Sequence, residues 1–309
     1  MIAVYILLGL FVLVFALSYL IMRIACGRND RYTKNFDKML DTKIYADCKD
    51  LIVQGKQWFD TQKPQQVQTC SFDGLRLAGE FIPCENARAT ILMFHGWNAS
   101  PETDFGAGLP YYQSLGLNLL LVHQRAQGKS EGKFMTFGVR ERHDVHTWVA
   151  WHKERFGDLP ILLAGLSMGA STVLMAGGRA FDPLVKGVIA DCGFTSPYEI
   201  IHSVVRSLEL PAKPITALIG MQTRLFAGFG LKEYSTLEAM KTFTLPVLLV
   251  HGEDDTFVPC DMSKAAYEAC TSKDKTYLCV PKATHGKSFV VQPEEYRTAL
   301  RNFVSRCLN

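Results

Sequence analysis

The sequence predicts an α/β domain, with a mostly parallel sheet of eight strands flanked by helices. Three observations lead there. Short apolar runs recur at Thr90 to Phe94, Leu117 to Val122, Pro160 to Ala164, Gly187 to Ala190, Pro246 to Val250 and Thr276 to Val280. Several are continuous in Val, Ile and Leu rather than alternating, which is the pattern of strands buried on both faces of a sheet. Helix-compatible stretches separate the runs, as crossovers between parallel strands require. The chain has 309 residues, 48% of them hydrophobic and 20% charged, enough for one large α/β domain or two small ones.

Taken in order, the elements begin with an apolar segment. Ile2 to Met22 contains no charged residue. Its length of about 20 residues matches the hydrocarbon core of a bilayer. No Lys or Arg precedes it, so it lacks the basic start of a signal peptide. Arg23 to Cys26 departs from a lipoprotein cleavage site, because Arg23 stands where a leucine is wanted. Arg23, Arg28, Arg31 and Lys34 follow the segment, and a basic flank stays on the cytoplasmic side. Residues 1–27 are therefore expected to be a single-span membrane anchor with the folded domain in the cytoplasm. Residues 28–66 are polar and amphipathic and are expected to form a helical linker.

Val67 to Phe72 and Arg76 to Ile82 are strand-like and joined by Asp73-Gly74, a hairpin turn signal. With the six later runs they make eight strands. Val139 to Phe156 carries Val145, Trp148, Val149 and Trp151 at helical spacing. Asp261 to Cys270 and Glu294 to Cys307 are further helices, the last opened by Pro293. Between Asp191 and Leu245 the strand rhythm breaks. Ile200 to Leu208 and Ile215 to Phe229, divided by Pro211 and Pro214, read as a small helical insertion at about 194–243. It is expected to form a lid that sets substrate size and excludes water.

A net charge of +3 is too near neutral to point to a nucleic-acid partner. No zinc-like Cys/His spacing, phosphate loop, internal repeat or low-complexity tract is present. No metal and no cofactor are expected. The nine cysteines are scattered and odd in number, which fits buried thiols in a reducing compartment.

Gly165-Leu166-Ser167-Met168-Gly169 joins an apolar strand run to a helix-compatible run. That context suits a sharp turn that presents a serine at a helix N-terminus, with glycines where backbones must pass closely. A serine hydroxyl needs a base, and the base needs an orienting acid. In an elbow architecture the chain order is Ser, then acid, then His. The run Pro246 to Val250 ends in His251-Gly252-Glu253-Asp254-Asp255, which places an acid at the carboxyl edge of a strand. After it one histidine remains, His285. Elimination names His285 as the base but leaves Asp254 and Asp255 both open. The expected oxyanion donors are the backbone N–H groups of Met168 and Trp97, the latter in the loop Phe94-His95-Gly96-Trp97-Asn98. His95 and His251 end strands and are expected to bond within their loops. Trp97, Phe134, Phe137 and Phe194 are the aromatic supply for an apolar acyl pocket.

Together these residues resemble the α/β-hydrolase superfamily, over about residues 67 to 307. Within it the chain is similar to bacterial serine hydrolases and esterases of the prolyl oligopeptidase and bile-acid acyltransferase-like group. The matching motifs are His95-Gly96-Trp97, Gly165 to Gly169, the block from His251-Gly252 to Val258-Pro259, and Thr284-His285-Gly286. The resemblance implies an α/β-hydrolase domain at 67–309 and places the acid at Asp255. The loop Gln124 to Gly132 departs from the pattern, with His123 where an aspartate is usual and Ala126 where a glycine is usual. Several bacterial relatives of this type carry an N-terminal membrane helix. The implied activity is cleavage of carboxylic esters or related acyl bonds by Ser167, His285 and Asp255 through an acyl-enzyme. The substrate would be a small acyl ester or a short peptide. A serine peptidase, an acyltransferase, and a binding protein with a vestigial site remain open alternatives.

Overall fold

A computed structural model of the chain describes residues 1–29 and 48–309. One eight-stranded sheet organises it, in the order β1-β2-β4-β3-β5-β6-β7-β8. The strands are β1 (Gln65–Cys70), β2 (Arg76–Ile82), β3 (Ala89–Phe94), β4 (Leu117–His123), β5 (Ile161–Leu166), β6 (Val185–Asp191), β7 (Val247–Gly252) and β8 (Lys275–Val280). β1 and β2 form an antiparallel hairpin, and β2 runs antiparallel to β4. From β4 through β8 every pairing is parallel. Asp73-Gly74 makes the hairpin turn, with Gly74 at φ +85.

The helices are α1 (Ile2–Cys26), α2 (Lys49–Thr61), α3 (Pro101–Phe105), α4 (Leu109–Ser114), α5 (Glu141–Phe156), α6 (Met168–Ala176), α7 (Pro197–Ser207), α8 (Ala212–Gln222), α9 (Thr236–Met240), α10 (Asp261–Ala269), α11 (Ser288–Val291) and α12 (Pro293–Leu308). The continuous apolar runs have a physical reason. In β3 and β4 every residue is buried, and alternate side chains enter different layers. Leu92, Phe94, Leu120 and Val122 pack with Trp148 of α5 and Val173 of α6. Ile91, Met93, Leu119 and Leu121 pack with Leu109 of α4 and Leu300 of α12. Burial on both faces removes the polar alternation of a half-exposed strand.

Two expectations are revised. Residues 30–47 of the expected linker lie outside the described residues, but 49–61 is not a spacer. α2 docks on the turn before α4, so tightly that a Cβ on Gly55 would lie 2.2 Å from the Gly106 carbonyl. The insertion between β6 and β7 is helical as expected, comprising α7, α8, a wide turn at Thr223–Ala227, and α9. Ser196 and Ser235 cap α7 and α9 by accepting the Glu199 and Glu238 amides at 3.1 and 3.0 Å. Yet the insertion packs on the C-terminal half of α1. Among the described residues, none that lines the cavity beside Ser167 comes from it.

Candidate active site

The site is assembled at the carboxyl edge of the sheet, where parallel strands give way to loops. Ser167 follows β5 and caps α6, at φ 55 and ψ −115. A non-glycine residue reaches this region only when its surroundings enforce it. The enforcement here is steric. A Cβ on Gly165 would stand 2.2 Å from the Gly169 carbonyl, and one on Gly169 would stand 1.8 Å from the Phe94 carbonyl. The Ser167 amide donates to the Asp191 carbonyl at the end of β6, 2.8 Å away, which fixes the turn to the neighbouring strand.

Three side chains from three loops then meet. Ser167 Oγ lies 2.9 Å from His285 Nε2. His285 Nδ1 lies 2.7 Å from Asp255 Oδ2. Asp255 Oδ1 accepts the amides of Phe257 and Val258, both at 2.9 Å. Asp254, the alternative acid, donates its amide to the Ala283 carbonyl at 3.0 Å and is exposed. Burial works to raise the Asp255 carboxyl, but hydrogen bonds with His251 and His285 and the backbone outweigh it. They hold the group well below the usual carboxylate range. A carboxylate beneath a histidine favours the tautomer protonated on Nδ1, which leaves Nε2 to accept the serine proton. The His285 side chain stays 25% exposed, facing the cavity.

Met168 is the first residue of α6, so its N–H is an orphan donor of a helix start. Trp97 lines the cavity facing Ser167, and no partner takes its amide among the described residues. The loop before Trp97 is held from beneath, where Asp104 Oδ2 accepts the Gly96 amide at 2.6 Å. Asp104 was not singled out in the sequence. Its signal is the Ser100 cap and Pro101, which place an acid in the first turn of α3. The residue opens partly to the cavity, but its carboxyl is enclosed, and burial pushes it up to about 6.

His95 and His251 stand at strand ends and are structural as expected, but their bonds reach beyond their own loops. His95 Nδ1 meets the Gly96 carbonyl at 2.9 Å, Nε2 accepts the Gln124 amide at 3.2 Å, and burial lowers the ring to about 3, keeping it neutral. His251 is hydrogen-bonded to Ser263 Oγ at 2.6 Å and lies 3.2 Å from Asp255, so it braces the acid from behind. Cys192, Asp255 and His285 each place one donor atom within 4.8 Å of the others. Two of the three are already bonded to each other. The Cys192 thiol is pushed well above its ordinary value by burial and by the nearby Asp191 and Asp255 carboxylates, so it stays protonated. No disulfide joins any of the nine cysteines.

Ser167 and His285 line a cavity of about 640 Å³. Of the expected aromatic lining, Trp97 is present. Phe134, Phe137 and Phe194 instead pack with Met22 and Cys26 of α1 and with Met168. The aromatic walls are Phe105, Tyr112, Phe257, Phe289 and Tyr296, and Cys48 and Ile52 at the start of α2 complete them. Phe257 stands edge-on to the His285 ring, with centroids 5.1 Å apart.

Among solved structures, an esterase of Pyrococcus furiosus superposes with a TM-score of 0.67, covering 81% of this chain and 93% of its own at 22% identity. The chain has the α/β-hydrolase fold. Among curated proteins the chain is similar to YfhR of Escherichia coli O157:H7, 26% identical over 308 residues, covering 97% of this chain and 94% of the relative. It is also similar to YqkD of Bacillus subtilis (strain 168), 24% identical over 233 residues, covering 75% and 76% of the two chains. A family model described as serine aminopeptidase, S33, matches residues 209–288. That span holds Asp255 and His285 but not Ser167.

Proposed function

We propose that this α/β-hydrolase is a serine hydrolase that cleaves carboxylic esters through an acyl-enzyme. The observation that carries the reading is the chain of hydrogen-bond distances from Ser167 Oγ to His285 to Asp255, 2.9 and 2.7 Å, on a strained elbow. Ser167 Oγ attacks the substrate carbonyl while His285 Nε2 takes its proton. Asp255 orients the ring and stabilises its charged form. The amides of Met168 and Trp97 face the oxyanion. His285 then hands the proton to the leaving alcohol. Water repeats the sequence on the acyl-enzyme and regenerates Ser167.

The mainly apolar cavity supports a small or medium acyl group, and the esterase title of the Pyrococcus structure is in keeping with that. The serine aminopeptidase match at 209–288 favours a second reading, cleavage of a short peptide by the same three residues. α1 is the helix among the described residues that is long and apolar enough to cross a membrane. With Arg23 and Arg28 after it, it is read as a single-span anchor with the hydrolase domain, about residues 67–309, on the cytoplasmic side.

The test is hydrolysis of a graded series of p-nitrophenyl esters alongside an aminoacyl anilide. Ester turnover is expected, and Ser167→Ala is expected to lower it by about 10⁴-fold or more. Near-normal ester turnover in that variant would overturn the assignment. Turnover of the anilide alone would favour the peptidase.

A further inference from the structure

We propose that the helical insertion is a second membrane-contact element, seated in the interfacial layer of a phospholipid bilayer beside α1 and holding the catalytic cavity at the lipid surface. The inference builds on the reading of α1 as a membrane span.

α1 divides into two parts. From Ile2 to Val14 its described side chains are all exposed. From Phe15 onward, Phe15, Ser18, Tyr19, Met22 and Cys26 recur at helical spacing and are buried or half-buried against the insertion. Gln222 at the end of α8 donates to Ser18 Oγ at 2.8 Å. The Phe226 ring stands edge-on to Tyr19 at 4.8 Å and to Phe15 at 6.4 Å.

Those contacts fall inside the apolar run. Tyr19 and Phe15 precede Met22, its last residue, by about 5 and about 10 Å along the axis at 1.5 Å per residue. If α1 spans the bilayer, Phe226 is carried in to the same depth. That depth is where interfacial helices lie, about 5–10 Å into the boundary between headgroups and acyl chains.

The insertion's outward surface matches such a position. Leu208 and Leu225 are 63% and 61% exposed, and Leu210, Met221 and Phe226 are exposed with them. Met221 and Leu225 follow each other four residues apart, on the same face as Ala217. Lys213 and Arg224 are exposed among these residues, one near each end of α8, with the bases that anionic headgroups attract; Glu209 is the neighbouring acid. In water, apolar surface of this kind calls for a cover. Phe226 makes it continuous with the apolar surface of α1, so one bilayer covers both. The cavity is tied to the same level, because Trp97, which lines it, donates its indole N–H to the Ala25 carbonyl at the end of α1, 2.6 Å away.

The experiment places the full-length chain in phosphatidylcholine–phosphatidylglycerol nanodiscs carrying acyl-chain nitroxides. Leu225→Trp is compared with Arg301→Trp, exposed on α12, after subtracting the signal of the four native tryptophans. The added emission at position 225 is expected to be lost to the nitroxides, and that at 301 to be retained. Equal, unquenched emission at both positions in a chain that stays with the disc overturns the role of the insertion while leaving the anchor intact. The same emission with two copies per disc, counted by mass, would assign the surface to a second copy and overturns it too. A chain that does not stay with the disc overturns the anchor reading, and the proposal with it.

Discussion

At the residue scale, the elbow is held by two absent side chains. Gly169 has no room for a methyl because the Phe94 carbonyl, a backbone atom, would lie 1.8 Å from it. Backbone cannot swing aside as a side-chain tip can. Gly169→Ala is therefore expected to cost more than the ~1–3 kcal/mol typical of an overpacked core. A Tm drop on the order of 10 °C in a thermal melt would register it. Gly74 is the contrast. Its φ is +85, but nothing lies within 4 Å of the position a Cβ would take, so Gly74→Ala should cost only about 1 kcal/mol. A second residue-scale expectation concerns Asp104. Burial raises its carboxyl to about 6, above the ordinary value near 3.9 that the unfolded chain presents. The folded state then holds the proton more tightly than the unfolded one. Its contribution to stability is full below about pH 4 and is lost as pH rises through about 6. Asp104→Asn keeps an oxygen for the Gly96 amide but removes the titration. Denaturant midpoints measured from pH 4 to 6.5 should fall less steeply for the variant than for the wild type.

At the element scale, the sheet was legible and the walls of the site were not. Strands buried on both faces leave continuous runs of Val, Ile and Leu, and a strand that ends in Asp191 or in His251-Gly252 announces a loop at the carboxyl edge. His285 was found because the required chain order left no other histidine. α2 gave no such signal. Its amphipathic pattern says that it packs, not where, and Gly55 reads as a helix weakness until Gly106 is seen against it. The same limit explains the aromatic residues. Phe134, Phe137 and Phe194 lie near the site in sequence terms but turn toward α1, while Phe289 reaches the cavity from the far end of the chain. Placing α2 in the cavity wall has a consequence. A larger residue at position 55 should push Ile52 and Cys48 out of line. Gly55→Val is expected to raise KM for long-chain esters about fivefold, which is ~1 kcal/mol of lost uniform binding, with kcat nearly unchanged. Initial-rate kinetics on the ester series would show it, and a fall in kcat alone would mean that α2 acts on the triad instead.

At the scale of the whole molecule, one sheet positions the proposed chemistry, and in the proposed reading one apolar helix anchors the sheet to a membrane. The net charge of +3 offers no strong field to steer a charged partner, so in that reading placement falls to α1 and the insertion. Ser167, His285 and Asp255 come from three strand ends separated by long stretches of chain, and only the finished fold brings them within hydrogen-bond distance. Whether that convergence is a working nucleophile is the central claim. Covalent labelling of the full-length protein with a fluorophosphonate, read by intact mass and peptide mapping, tests it most directly. The account expects a single label on Ser167, absent in Ser167→Ala and strongly slowed in His285→Ala. Folded protein that takes no label, or takes it equally in the Ser167→Ala variant, would contradict it.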